Sequence, residues 1–150
     1  MHDVTIRLAT SADTRTLVDL MQVFYAEQGY PMDRDKATRT FTMLLDDPVF
    51  GKIWLAQRQD EALGYIILTL GFSMEYGGRD SFVDDLFVIQ AARGQGIGSR
   101  LLDTLFEECK RLDVKAVHLE VENVNQQAQK LYLARGFTGN DRTLLTRRFS

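Results

Sequence analysis

The order of apolar patterns predicts a mixed α/β (α+β) domain: a central, mostly antiparallel sheet with one parallel strand pair, flanked by helices. Three observations carry that expectation. Phe50–Gln57, Leu63–Ser73 and Phe82–Ile89 are strand-like runs joined by short connections, which makes an antiparallel meander. A glycine turn and a helical repeat then lead into Ala116–Glu122, and a strand–helix–strand passage of that length is a parallel, right-handed crossover. One crossover so late in a chain of 150 residues cannot build a doubly wound sheet.

The bulk composition narrows the function classes. A chain 45% apolar and 10% aromatic suits one domain over residues 1–150 with a sizeable core. Eighteen basic against 21 acidic side chains give a net charge of −3, which argues against nucleic acid as a partner. No apolar run is long enough to span a membrane, and the N-terminus lacks the pattern of a signal peptide, so a soluble cytoplasmic protein without membrane partners is expected. With two histidines and one cysteine, a cysteine/histidine metal site has little to build on, and none is expected. Cys109 lies at core spacing on a helix and reads as buried filler.

Val4–Ala9 alternates with period two and predicts a strand; Thr10-Ser11-Ala12-Asp13 then offers capping-box spacing for a helix. That helix carries Leu17, Val18, Leu20, Met21, Phe24 and Tyr25 on its inner face, and Gly29-Tyr30-Pro31 breaks it. A second helix over 33–46 packs through Ala37, Phe41, Leu44 and Leu45 until Asp46-Asp47-Pro48. The loop Gln28–Met32 between them is a candidate wall for a substrate. After the meander, Ile97–Leu112 repeats apolar residues at helical spacing. Residues 123–136 form a last helix ended by Gly136, and Leu144–Phe149 reads as a closing strand with a basic edge.

The stretch Arg93-Gly94-Gln95-Gly96-Ile97-Gly98-Ser99 opens the Ile97 helix. Glycines at a helix start leave N–H groups unpaired at the positive end of the helix dipole, where an anion such as phosphate binds. Arg93 adds a fixed charge. The phosphate loop of nucleoside triphosphatases needs a lysine that is absent before Ser99. The dinucleotide fingerprint is a near miss, with Glu120 or Glu122 only loosely placed as a ribose acid. A plain helix start, with glycines serving only the turn, is the remaining alternative.

A longer pattern separates these readings. Arg93-Gly94-Gln95-Gly96-Ile97-Gly98 follows Leu86-Phe87-Val88, and Asn125, Ala128, Leu131, Tyr132, Gly136 and Phe137 recur some thirty residues later. This resembles the GCN5-related N-acetyltransferase (GNAT) superfamily, in its acyl-CoA motif and in its later Asn–Ala–Tyr–Gly-Phe motif, over nearly the whole chain. Phe82–Val88, with the carboxylates Asp84 and Asp85, is locally similar to the diamine (spermidine/spermine) acetyltransferases. The resemblance implies an acyl-CoA acyltransferase fold with its parallel strand pair splayed. It also implies acetyl-CoA as cofactor. Backbone groups from Arg93 to Ser99 would hold the diphosphate, main-chain groups of Leu86, Phe87 and Val88 would pair with the pantetheine arm, and Asn125 would contact CoA. Tyr132 matches the family's general acid, which protonates the departing thiolate, and also contacts the cofactor. A homodimer is usual among such relatives.

An alkyl ammonium must lose a proton before it can attack a thioester, and a carboxylate can accept it directly or through water. Asp84 aligns with the base position of the similar family members. On a regular strand Asp84 and Asp85 point to opposite faces, so only one is expected to face the amine. Glu75 and Glu120 are reserves. No Ser–His or Cys–His pair is evident, which favours direct attack in a ternary complex over an acyl-enzyme. Glu75, Asp80, Asp84, Asp85 and Glu120 would favour a small cationic amine: a polyamine, a diamine or an amino acid. Tyr25, Tyr30 and Tyr76 are candidate walls for its ammonium. A protein lysine or N-terminal amine is the alternative acceptor, and a non-catalytic acyl-CoA sensor the alternative class. His118 reads as a packed, hydrogen-bonded residue.

Overall fold

A computed structural model describes residues 3–150. They fall into two compact units, Met1–Leu119 and Glu120–Ser150. The first holds five strands: β1 (Thr5–Leu8), β2 (Gly51–Arg58), β3 (Glu61–Ser73), β4 (Gly78–Val88) and β5 (Ala116–His118). They lie in sequence order in one sheet, antiparallel throughout except that β4 and β5 run parallel. Its helices are α1 (Thr14–Gln28), α2 (Arg34–Asp46) and α3 (Ile97–Arg111).

The alternation of β2 and β3 decides which helix covers which face. Ile53, Leu55, Tyr65, Ile67 and Phe87 pack against Leu17, Val18 and Leu20 of α1 and Ala37 and Phe41 of α2 in one core cluster. On the other face Ser81 approaches Cys109 of α3, Oγ to Sγ 4.0 Å, and Leu101, Leu102 and Leu105 are fully buried. Local chemistry sets the helix ends. Asp13 accepts from the Thr10 N–H at 2.8 Å and takes both guanidinium arms of Arg7, which anchors the start of α1 to β1. Gly29 closes α1 in the left-handed region at φ +75°. Asp33 caps α2 by accepting from the Lys36 N–H.

Between β3 and β4 the register slips: Leu68 pairs with Val83 but Ile67 pairs with Asp85, so Asp84 is an extra residue. This is a β-bulge, and it reverses the parity of the strand. Ser81 and Val83 face α3, whereas Phe87, of the same parity, stacks on Phe24 of α1 at 5.0 Å between ring centroids. The expectation that Asp84 and Asp85 point to opposite faces is therefore corrected.

The β4–β5 ladder ends at Phe82 and His118, four residues short of the expected end of the strand at Glu122. Beyond it the far edge of β4 has no strand beside it among the described residues of this unit. In the second unit, α4 spans Gln126–Ala134, inside the expected range. The closing strand at Leu144–Phe149 is absent: Leu145 and Phe149 are 86% and 89% exposed, and Arg147 lies over the Phe149 ring. A strand exists only with a ladder partner, which local alternation cannot supply. No helix among the described residues is long and apolar enough to cross a membrane.

Candidate active site

The bulge builds a carboxylate pair between tyrosines. Asp85, carried by β4 opposite Ile67, accepts a hydrogen bond from the fully buried Tyr65 hydroxyl at 3.1 Å. Asp84 keeps a solvent-accessible face, yet the surrounding protein excludes enough water to push its carboxyl above the ordinary range. Burial, and then the charge of Asp84, push the Asp85 carboxyl up to about 7, with the Tyr65 bond acting the other way. Both carboxylates act on the same side of the sheet. Burial raises the Tyr25 phenol to about 12, with Asp85, Asp84 and Tyr30 adding to the rise, and Tyr65 is raised by burial and by the same two charges. Tyr30, in the α1–α2 loop, meets Tyr25 edge-on at 6.1 Å.

Eight residues along the chain from Asp85 comes the turn expected to bind an anion. Gly94 and Gly96 both take φ +79°, a left-handed conformation that costs glycine little. Gly96 is the N-cap of α3, so no side chain caps the first turn and the N–H groups of Ile97, Gly98 and Ser99 face outward from a fifteen-residue helix. Arg93 braces the turn: its Nε donates to the Val88 carbonyl at 2.9 Å, Nη2 pairs with Glu27 of α1, and the guanidinium lies over Phe87. Gln95 accepts from Arg58 of β2 at 2.9 Å.

Ladder geometry divides the three residues expected to meet the pantetheine arm. The Ile89 N–H donates to the Leu63 carbonyl, so by alternation Phe87 also turns its main chain toward β3, while Leu86 and Val88 turn theirs to the open edge. Phe87 instead contributes a buried ring.

In the second unit, the Asn125 side chain accepts from the Ala128 N–H at 3.1 Å and caps α4. Burial raises the Tyr132 phenol, whose ring meets Phe137 edge-on at 5.8 Å. Glu120 is exposed at the start of this unit, outside β5. Glu75 lies in the β3–β4 turn, past Ser73 at the end of β3. Sequence reasoning missed Tyr65. Its signal was a hydroxyl inside the apolar run Tyr65-Ile66-Ile67-Leu68, which must find a buried partner.

An open β4 edge, an uncapped helix start and a carboxylate pair lie in the first unit, and residues 15–137 match the Acetyltransferase (GNAT) family. The chain belongs to the GNAT family. Its activity is that of an N-acetyltransferase, and the family uses acetyl-CoA. An aminoalkylphosphonate N-acetyltransferase of Salmonella typhimurium is 29% identical over 133 residues, 88% of this chain and 83% of the relative. Among solved structures, an integron cassette protein from the mobile metagenome of Cole Harbour salt marsh is 42% identical, with a TM-score of 0.88 over 97% of this chain and 90% of that one. A structure titled "predicted acetyltransferase with acetyl-CoA" from Clostridium acetobutylicum is 19% identical, with a TM-score of 0.84 over 97% and 96% of the two chains, and shares the fold.

Proposed function

We propose that this GNAT enzyme moves the acetyl group of acetyl-CoA to the primary amine of a small acceptor by direct attack within a ternary complex. The observation that carries the reading is the Asp84–Asp85 pair at the bulge, with Asp85 titrating near neutrality next to the open edge of β4. Acetyl-CoA supplies an activated thioester. The amides from Gly94 to Ser99, with Arg93, suit its diphosphate, and the main-chain groups of Leu86 and the Val88 N–H suit its pantetheine arm. The Leu86 N–H, turned to that edge, is a donor for the thioester oxygen as it gains charge.

Acid–base chemistry falls to the carboxylates and to Tyr132. Asp84, the more accessible of the pair, meets the ammonium. Asp85 accepts its proton directly or through a water, because a base that titrates near the working pH combines availability with driving force. The pair titrates as a unit, and the limb near pH 7 belongs to both. Tyr132, whose raised phenol keeps its proton at neutral pH, is assigned the transfer to the departing thiolate. The acidic face supports a small amine that arrives charged, with polyamines, diamines and amino acids as the classes to screen. The name of the Salmonella relative adds aminoalkylphosphonates.

A panel of such amines, followed by release of free thiol, tests the reading. Turnover of a small amine, with Tyr132→Phe lowering kcat far more than CoA affinity, is expected. Thiol release only with a protein lysine or N-terminus would overturn the small acceptor, and CoA binding without any transfer would overturn catalysis.

A further inference from the structure

Alternation along β4 before the bulge places Asp80, Phe82 and Asp84 on one face, opposite to Ser81 and Val83. Phe82 pairs across the ladder with His118, and its ring lies 5.2 Å from the imidazole, tilted by 48°. From the β3–β4 turn, the Tyr76 ring approaches the same imidazole at 5.2 Å, tilted by 55°. His118 is fixed between them because its Nε2 meets the Asp80 carboxylate at 3.3 Å. Gly71 makes room for that carboxylate: a Cβ there would stand 2.8 Å from Asp80 Oδ1. Three rings are thus held in a fixed group, yet Phe82 remains 38% and Tyr76 42% exposed.

We propose that Phe82, Tyr76 and His118 form a subsite for a flat aromatic ring on the acceptor, which makes the substrate an arylalkylamine with its nitrogen at Asp84. This rests on the acetyl-transfer reading above and narrows it. Phe82 and Asp84 are two residues apart on one face, a separation of about 6.6 Å, and a two-carbon tether between ring and nitrogen spans a comparable length. Ring faces tilted to one another receive a further ring by offset or edge contact.

The test compares phenethylamine, n-butylamine and 1,4-diaminobutane as acceptors. The expected result is a kcat/KM for phenethylamine about tenfold above that for n-butylamine. Phe82→Ala should remove this advantage by raising KM for phenethylamine alone, with kcat unchanged and n-butylamine unaffected. Equal kcat/KM for phenethylamine and n-butylamine, a preference for 1,4-diaminobutane, or a Phe82→Ala effect shared by all three would overturn the subsite. Should none of the three be acetylated, the wider amine panel above decides the acetyl-transfer reading on its own. Calorimetry of phenethylamine with the protein and CoA then decides the subsite: binding weakened by Phe82→Ala supports it, and no binding overturns it.

Discussion

Replacing Tyr65 by Phe removes one hydroxyl and leaves the ring among Phe41 and Phe87, 6.4 and 6.3 Å away. That hydroxyl donates to Asp85 at 3.1 Å, and the bond favours the ionised carboxylate. A hydrogen bond to a charged group contributes roughly 1.5–3 kcal/mol. At 3.1 Å this one is at the long end for a hydroxyl donor, so the low end of that range applies. About 1.5 kcal/mol corresponds to roughly one pKa unit. Without the bond Asp85 holds its proton to higher pH, and the acidic limb of kcat/KM should rise from about 7 by roughly one unit. At pH 7 the ionised fraction would fall from about half to about a tenth, a loss of roughly fivefold in kcat/KM. The assay is thiol release across pH 5.5–9 with the same small amine for both proteins, so that the acceptor's own titration cancels. An acidic limb that stays in place or moves down would refute Asp85 as the titrating base.

Three further outcomes follow from the same geometry. Asp84→Asn removes a like charge beside Asp85, so the acidic limb should move down, opposite in sign to Tyr65→Phe; a pH–rate profile of the variant reads it. Asp85→Asn should raise thermal stability at pH 8 more than at pH 5. The folded carboxyl at about 7 lies above its ordinary 3.8, so its stabilising protonation is complete below about 3.8 and lost as pH rises through 7. Between pH 5 and pH 8 that difference amounts to about 2.5 kcal/mol, and melting curves at the two pH values measure it. Gly96→Ala meets no atom within 4 Å, so its cost is the left-handed backbone alone, about 1–2 kcal/mol in denaturant unfolding. CoA affinity should fall with it, because the same conformation aims the α3 amides.

What the sequence made legible was local. Strand and helix order followed from periodicity, and the turn at Arg93–Ser99 followed from glycines that the chain needs at φ +79°. The capping box at Thr10–Asp13 was visible because capping residues act within three positions of themselves. The misses all involve partners distant in sequence. Leu144–Phe149 alternates well enough for a strand but has no ladder to join. Residues 119–122 continue the apolar rhythm of β5 past the point where β4 pairs with it. Tyr65 went unremarked because its hydroxyl's partner lies twenty residues away.

The bulge is the deepest of these misses, and it is also what joins the fold to the chemistry. Without an extra residue at Asp84, Asp85 would share the face of Ser81 and Val83 and point at α3, while Phe87 would leave the core beneath α1. With it, a single shift of parity does three things. It turns Asp85 under Tyr65, where burial brings its titration to neutrality. It keeps Phe87 stacked on Phe24 of α1. It also interrupts the regular pairing of β4 just past Phe82, where the parallel ladder with β5 stops. The open edge proposed for the acyl donor and the base proposed for the acceptor therefore meet at one irregularity. Restoring regular pairing by deleting Asp84 would cost both at once, whereas Asp84→Asn, which keeps the extra residue, alters only the charge.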